Sequence, residues 1–543
     1  MSDYDKHETK GSGPGVSNTS THEVHDEEVG IVKSDALKKD LKGRHMQMIA
    51  IGGAIGAGLF IGSGGALSKG GPAALIIGYM IVGIMLLFTM QALAELSVLY
   101  PVNGAFYTYV VRFLDPAWGF AMGWDYAIAW LTVLPFELIA ASITIKFWNE
   151  SISMGVWVTV FLVALTVIQV FGIKGYGEVE FVLSMVKICA CVGFIILGIV
   201  INCGGVGDQG YIGAKYWSDP GAFHNGFNGF CAVFVVAAFA FGGTELVGLA
   251  AAESENPRKA IPRAAKQVFF RIFLFYVVNL FVLGLILPSN DDRLLNSHGA
   301  NSKASPFVLA IQDAGIKVLP SIFNAVITVS VISVANSCTF GSTRTIQAMA
   351  TRKMAPGFFS YVDKAGRPLY CVALQLCFGF LAYIGLAAEG MTIFNWLLSL
   401  TGLSFFFVWG SICATHIRFE YAWQSQGFSL KQIPYRPPFG IWGSVGGLVL
   451  NVLCLLATFY NALYPSPTAT PNAVDFMQSY MALPLVLLLT LFWKIKSGDW
   501  SLYVKVQDMD LLAGARLLNP EDIEEAEQAR KGPWYSRIFH ALF

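Results

Sequence analysis

The sequence predicts an all-α membrane protein of twelve transmembrane helices, a five-plus-five inverted repeat with broken helices one and six plus two extra helices. Three observations carry that prediction. Hydrophobic residues make up 55% of the chain and charged residues only 13%, too little polar surface to clothe a protein of this size in water. Apolar runs of bilayer length recur along the chain. Two of them are interrupted by glycine at corresponding places.

The chain opens on a polar stretch, and the first apolar run begins only at Met46, so no cleavable secretory signal is expected. Residues 1–45 read as a cytoplasmic tail, disordered over its first 40 residues because its hydrophobicity is low. A hydrocarbon core of about 30 Å takes roughly 20 mostly apolar helical residues, since lipid offers no partner to exposed backbone groups. Runs that meet this requirement are residues 46–68, 73–95, 118–145, 155–173, 180–201, 229–250, 269–288, 319–343, 370–388, 393–417, 442–464 and 478–494. Pro135 is expected to bend the third.

With the N-terminus inside, the inner connections carry fifteen Lys and Arg, Arg271 included, against six in the outer ones. That bias places both termini in the cytoplasm. Lys plus Arg and Asp plus Glu both number 36, which gives no sign of a nucleic-acid partner. Cys189, Cys191, Cys231, Cys371, Cys377, Cys413 and Cys454 lie inside apolar runs with no metal-ligand spacing, so they read as thiols that pack as small hydrophobes. The inner connection from Leu99 to Pro116 is too polar to span and too aromatic for a free loop; an amphipathic helix at the membrane interface is expected there. Asn149-Glu150-Ser151 matches a glycosylation sequon, a pattern common by chance. The C-terminal tail, with its acidic run from Glu521 to Glu527, reads as a solvated segment folded against the inner loops.

The first run places Gly52, Gly53, Gly56 and Gly58 near its middle, where each glycine costs a helix roughly 1 kcal/mol relative to alanine. One explanation is close packing, with Gly52/Gly56 and Gly58/Gly62 as small-xxx-small surfaces. The other is an unwound helix whose second half starts with free N–H groups suited to an anion. The sixth run favours the second explanation, because Phe239-Ala240-Phe241-Gly242-Gly243-Thr244-Glu245 repeats a glycine break beside a carboxylate. Interrupted segments at matching positions of two halves point to a midplane binding site. Amides at one half-helix suit a carboxylate and freed carbonyls suit an ammonium; a zwitterionic amino acid presents both.

Ionisable groups inside spans are costly and each calls for a role. Glu137 is assigned to side-chain selectivity in the cavity or to capping the bend at Pro135. Lys187 and Glu245 are assigned to proton coupling or charge balance, separately or as a fixed pair, and Glu95 to the inner interface. No HExxH, GxxxxGK[ST] or GxSxG pattern is present, so no enzyme is expected.

Four stretches, GGAIGAGLFIG (52–62), FGGTELVGLAAAESENPRKAIPRAAKQVF (241–269), SYVDKAGRPL (360–369) and FNWLLSLTGLS (394–404), resemble the fungal amino acid permeases of the amino acid–polyamine–organocation superfamily, most closely the general type. The resemblance implies a plasma-membrane importer of amino acids driven by protons, with no other cofactor, working by alternating access. It divides the chain into the tail 1–45, a transport core 46–417, residues 418–494 with the last two helices, and a cytoplasmic tail 495–543. It implies that the site is formed by Gly53, the amides of Gly56, Ala57 and Gly58, and the carbonyls of Phe239, Ala240, Phe241 and Gly242. Phe239 would act as an aromatic gate, and Lys187 would stand in for the charge of a sodium ion. Where many relatives have a hydroxyl residue, this chain has Ala54 and Ala57, so selectivity is expected to differ there. Besides the bilayer, the implied partner is ubiquitin ligase machinery acting on tail lysines such as Lys10, Lys33, Lys38 and Lys39. An amino acid sensor with weak transport, and a uniporter or exchanger, are the competing readings.

Overall fold

The computed structural model describes residues 41, 43–149, 151–207, 210–295, 305–386, 390–465 and 470–519. The tail expectations for residues 1–40, the acidic run 521–527 and the four tail lysines fall outside them.

Among the described residues every element is helical: α1 (Gly43–Gly52), α2 (Ser63–Leu99), α3 (Ala105–Phe113), α4 (Pro116–Ile145), α5 (Met154–Val170), α6 (Gly172–Asn202), α7 (Gly226–Phe241), α8 (Leu246–Leu249), α9 (Pro257–Arg271), α10 (Asn279–Ile286), α11 (Asp292–Leu295), α12 (Pro306–Asp313), α13 (Leu319–Thr351), α14 (Leu369–Gly379), α15 (Gly390–Ser425), α16 (Gly440–Leu463), α17 (Ala473–Tyr480) and α18 (Ala482–Ser497). Nine helical stretches in these residues are long and apolar enough to cross a membrane, or ten if α17 and α18, bent by 69°, form one span. The expected count of twelve is higher for two reasons. The first and second runs are joined in one stretch, Gly58–Leu99, and α5 is only 17 residues long. Within α2 the backbone turns at Gly71 (φ 82°, ψ 170°), a conformation that suits glycine, and Pro72 restarts the helix.

Local chemistry sets the other ends. Asp115 caps α4 by accepting from the Trp118 N–H at 2.8 Å, with Pro116 as the first helical residue. Pro135 is accommodated inside α4, which continues as one helix through it. α4 packs along α13, and α2 along α7. Gly341 of α13 lies against the Trp130 ring, where a Cβ would come within 2.8 Å of Nε1.

The connection after α2 is helical, as expected, and it is covered by protein. Ala105, Phe106, Tyr107, Thr108, Tyr109, Val110 and Phe113 of α3 are buried in protein. It packs against α4 and α15, and the far end of the chain closes over this region. Residues 501–518 run across this end of the bundle and use their backbone to do so: Arg112 donates to Asp510 O and Ala513 O, Gln426 to Val506 O and Met509 O, and Tyr100 OH to Leu511 O. Arg516 N–H reaches Leu99 O and Leu518 N–H reaches Gln432 O. The reading of this tail as one folded against the inner loops holds for its described part. Leu41, the first described residue, bridges Glu253 and Glu255 at the same end.

Glu95 is likewise corrected: it is fully buried instead of reaching the interface, because His416 of α15 faces it at 3.2 Å. Of the nine free cysteines six are buried, and Cys189, Cys203 and Cys377 are exposed.

Glu253, at the end of the second broken run, is 1% exposed and receives a two-point contact from Arg344 of α13, at 2.9 and 3.2 Å. Removing one partner of a buried pair leaves the other charge uncompensated, at a cost of about 3–5 kcal/mol. Arg344→Met is therefore expected to lower the thermal unfolding midpoint of the purified protein strongly; a midpoint unchanged from wild type would show that the pair contributes nothing.

Candidate functional site

The first break follows from its glycines. The α1 hydrogen-bond ladder ends with Gly53 N–H to Ile49 O at 2.9 Å and Ile55 N–H to Ile51 O at 3.3 Å, and it resumes with Phe60 N–H to Gly56 O at 3.1 Å. The amides of Gly56, Ala57, Gly58 and Leu59 thus occupy the first turn of a new helical segment, where an α-helical ladder supplies no acceptor. Glu137 of α4 stands over this turn, its Oε1 3.5 Å from the place a Cβ on Gly56 would take.

The second break begins where α7 ends. Gly242 leaves helical geometry (φ −53°, ψ 141°) and Gly243 has φ 96°. Its carbonyls are partly engaged: Ala240 O accepts from Tyr276 OH at 2.8 Å, and Phe241 O accepts from the Thr244 hydroxyl at 2.9 Å.

The two breaks meet backbone to backbone. A Cβ on Gly243 would strike Gly53 O and lie 2.7 Å from Gly53 C; one on Gly58 would lie 2.5 Å from Ala240 Cα. Glycine is required at these positions because there is no room for a side chain. Beside this contact lies a narrow cleft, walled by Gly53, Ala54, Gly56, Gly58, Phe239, Gly242, Glu137 and by four residues that sequence reasoning missed, Trp130, Val133, Val334 and Phe405. The missed residues are apolar side chains within apolar runs, which carry no signal to set them apart. Phe239 packs edge-on against Phe136 at 4.7 Å. Ala57, Ala240 and Phe241 sit behind the cleft wall, and Phe241 instead lines a second cavity with Arg271 and Tyr276.

The charged candidates separate. Glu137 projects to the cleft, and its Oε2 has no hydrogen-bond partner among the described residues. Glu245 is saturated: its carboxylate accepts from Gly243 N–H at 3.2 Å, Tyr126 OH at 3.0 Å and Trp409 Nε1–H at 3.3 Å. Lys187 is fully buried, donates to Gly52 O at 2.5 Å and lies 4.0 Å from Glu180. A fixed Lys187–Glu245 pair is therefore replaced by a Lys187–Glu180 pair. Glu180 escaped sequence reasoning because it begins the fifth run and reads as an end charge; its spacing of seven from Lys187, two turns on one helix face, was the available signal.

Glu95, His416 and Glu420 bring donor atoms within 4.8 Å of one another, the spacing of a metal cluster. Arg436 already bonds Glu420 at 3.0 Å and Ser444 meets His416 Nδ1 at 2.8 Å. With these partners in place, the set reads as a polar brace between α2 and α15.

Residues 45–505 match the family model described as amino acid permease. Cationic amino acid transporter 1 of Schizosaccharomyces pombe is 50% identical over 91% of this chain and 84% of its own length. General amino-acid permease GAP1 of Saccharomyces cerevisiae is 47% identical over 94% of this chain and 86% of its own, and general amino-acid permease GAP2 of Candida albicans 47% over 95% and 89%.

The two glycine positions predict different failures. A Cβ at Gly56 would meet the Val334 side chain, which can shift, whereas one at Gly58 meets the Ala240 backbone, which cannot. Gly56→Val is expected to reach the cell surface and weaken substrate binding by about ten-fold or more, and Gly58→Val to lose surface protein. Surface labelling with saturation uptake checks both; unchanged affinity in Gly56→Val would reduce the glycine to a packing role.

Proposed function

The chain belongs to the amino acid permease family, and from that premise we propose that it imports amino acids of broad range, neutral zwitterions among them, together with protons across the plasma membrane. It is a multi-pass membrane protein and a transporter by family, not an enzyme. The observation that carries the reading is the meeting of two glycine breaks beside one cleft that also holds Glu137.

In this reading the substrate carboxylate takes the first-turn amides of Gly56 and Gly58, and the α-ammonium takes the carbonyls of Phe239 and Gly242 on the other break. Because Gly53 lies against Gly243 and Gly58 against Ala240, the two breaks move as one body. The cleft opens by alternating access, with that body shifting against the α4 and α13 walls that carry Trp130, Glu137 and Val334. In this reading the chain crosses twelve times, counting α5 and the α17–α18 pair and dividing α2 at Gly71, and both termini lie in the cytoplasm, where ubiquitin ligase machinery reaches the N-terminal lysines. The buried Lys187 supplies the charge that coupling to protons requires; each charge moved is worth about 2.3 kcal/mol per 100 mV.

Labelled amino acid uptake in permease-deficient cells tests this. Accumulation is expected to collapse with a protonophore, and Lys187→Met to reach the surface yet lose accumulation, since an apolar side chain carries no charge. Accumulation that survives the protonophore would rule out proton coupling.

A second reading extends the range to cationic amino acids. The free Oε2 of Glu137 faces the cleft, and one relative at 50% identity is described as a cationic amino acid transporter. In a competition panel, Glu137→Gln is expected to weaken lysine and arginine by about ten-fold, the scale of one charged contact, while neutral competitors are unaffected. Equal loss for both classes would remove the charge-recognition role.

A further inference from the structure

We propose that Glu180 is the residue that positions Lys187 for coupling, by a clasp that ties the protonation of α6 to the geometry of the first break. The inference rests on the proton-coupled reading above and adds to it the group through which Lys187 acts.

Three elements converge on this carboxylate. Glu180 and Lys187 stand two turns apart on one face of α6, both with no exposed surface, with Nζ 4.0 Å from Oε1. From α13, the Ser333 hydroxyl donates to Glu180 Oε1 at 2.5 Å and the Asn336 amide to Oε2 at 3.4 Å. From α1, Gly52 closes over the same oxygen, so that a Cβ there would strike Glu180 and the Ser184 hydroxyl. The Lys187 ammonium then donates to Gly52 O, the last turn before the helix unwinds. Gly52 is thus constrained twice, by contact with the carboxylate and by the lysine that the carboxylate orients.

The chemistry follows from the charge. A buried ammonium with only a neutral carbonyl beside it is costly, and a carboxylate within 4 Å offsets that cost. While Lys187 is charged, its charge-assisted bond to Gly52 O holds the end of α1, and with it the direction of the Gly56 and Gly58 amides. When the proton leaves, that bond weakens and the break is free to reorient. The other titratable groups near this pair are Glu137 of α4, Tyr176 and Cys191 of α6, and Cys338 of α13, while α1 contributes backbone. Of these only Glu137 is a second acid, and it belongs to the cleft. Glu180 touches no cleft surface; it acts through Lys187.

The test compares Glu180→Gln, Glu180→Asp, Lys187→Met and the double variant E180Q/K187M for surface level, substrate exchange and accumulation across acid to neutral medium. Glutamine keeps an acceptor for Ser333 and removes only the charge. Glu180→Gln is expected to exchange substrate, but to need medium more acid by about one pH unit for half-maximal accumulation, a ten-fold change in proton concentration. Glu180→Asp is expected to restore the profile in part, and the double variant to be no worse than Lys187→Met, as for residues acting as one unit. A uniform loss at every pH, or additive losses in the double variant, would overturn the proposal. If Glu180→Gln does not reach the surface, Ser333→Ala and Asn336→Ala carry the test, since they loosen the carboxylate without removing it; a profile identical to wild type in both would overturn it equally. Wild-type accumulation indifferent to pH and to a protonophore would instead overturn the proton-coupled reading itself, a result distinct from any of these.

Discussion

The backbone contact between Gly53 and Gly243 is the constraint on which the rest of this structure depends. A helix interrupted inside a membrane exposes amides and carbonyls that lipid cannot satisfy, so an interruption survives only where protein encloses it. Here each break encloses the other. Their approach is closer than a side chain at Gly58 or Gly243 allows, which explains why glycine stands at those two positions in spite of the cost to helical order. The remaining polar groups follow from the same need. Tyr276 takes up Ala240 O and Thr244 takes up Phe241 O, so that side chains after the second break finish what the glycines leave open.

A second layer of buried ions ties the bundle together away from the breaks. Arg344 with Glu253 joins α13 to the end of the second broken run, and His416 with Glu95 joins α15 to α2. Lys494 with Asp115 joins α18 to the start of α4 at 2.8 Å. Each pair links elements far apart in sequence. Such pairs add little net stability over apolar packing, but a chain that has buried one charge is committed to the arrangement that brings its partner. The C-terminal segment extends this logic with backbone acceptors, since Arg112, Arg258 and Arg418 all donate to its carbonyls.

Local features were legible in the sequence and long-range ones were not. The glycine breaks could be read because glycine in the middle of an apolar helix is costly enough to need a reason, and the recurrence at Gly242 and Gly243 supplied it. The spans could be read because their length is set by the bilayer. The burial of α3 could not, because part of its cover comes from α15 and the C-terminal segment, some 300 to 400 positions away, and neither could the fate of Glu95, which depends on His416. The span count was blurred at Gly71, where one residue of positive φ separates two helices that composition treats as distinct runs. Asp125, buried in α4 and bonded to Ser404 of α15 at 2.8 Å, shows the same limit: its partner lies 279 residues on.

The two breaks look symmetric in sequence, each a glycine pair near a carboxylate or a lysine, yet their polar partners differ in kind. Glu245 is fixed by three donors, one of them from its own break, and all of its bonds run to groups that stay neutral: an amide, a phenol and an indole. A carboxylate held in that way is a cap, and moving it would expose Gly243 N–H with nothing to replace it. Lys187 is held by one carbonyl at bonding distance and one carboxylate at 4.0 Å, an arrangement whose strength depends on whether the amine is charged. The first break is therefore tied to an ammonium through a single carbonyl, while the second is tied to a carboxylate that three neutral donors hold. Symmetry of sequence gives way to a difference in kind, one half of the site anchored through a cation and the other through an anion.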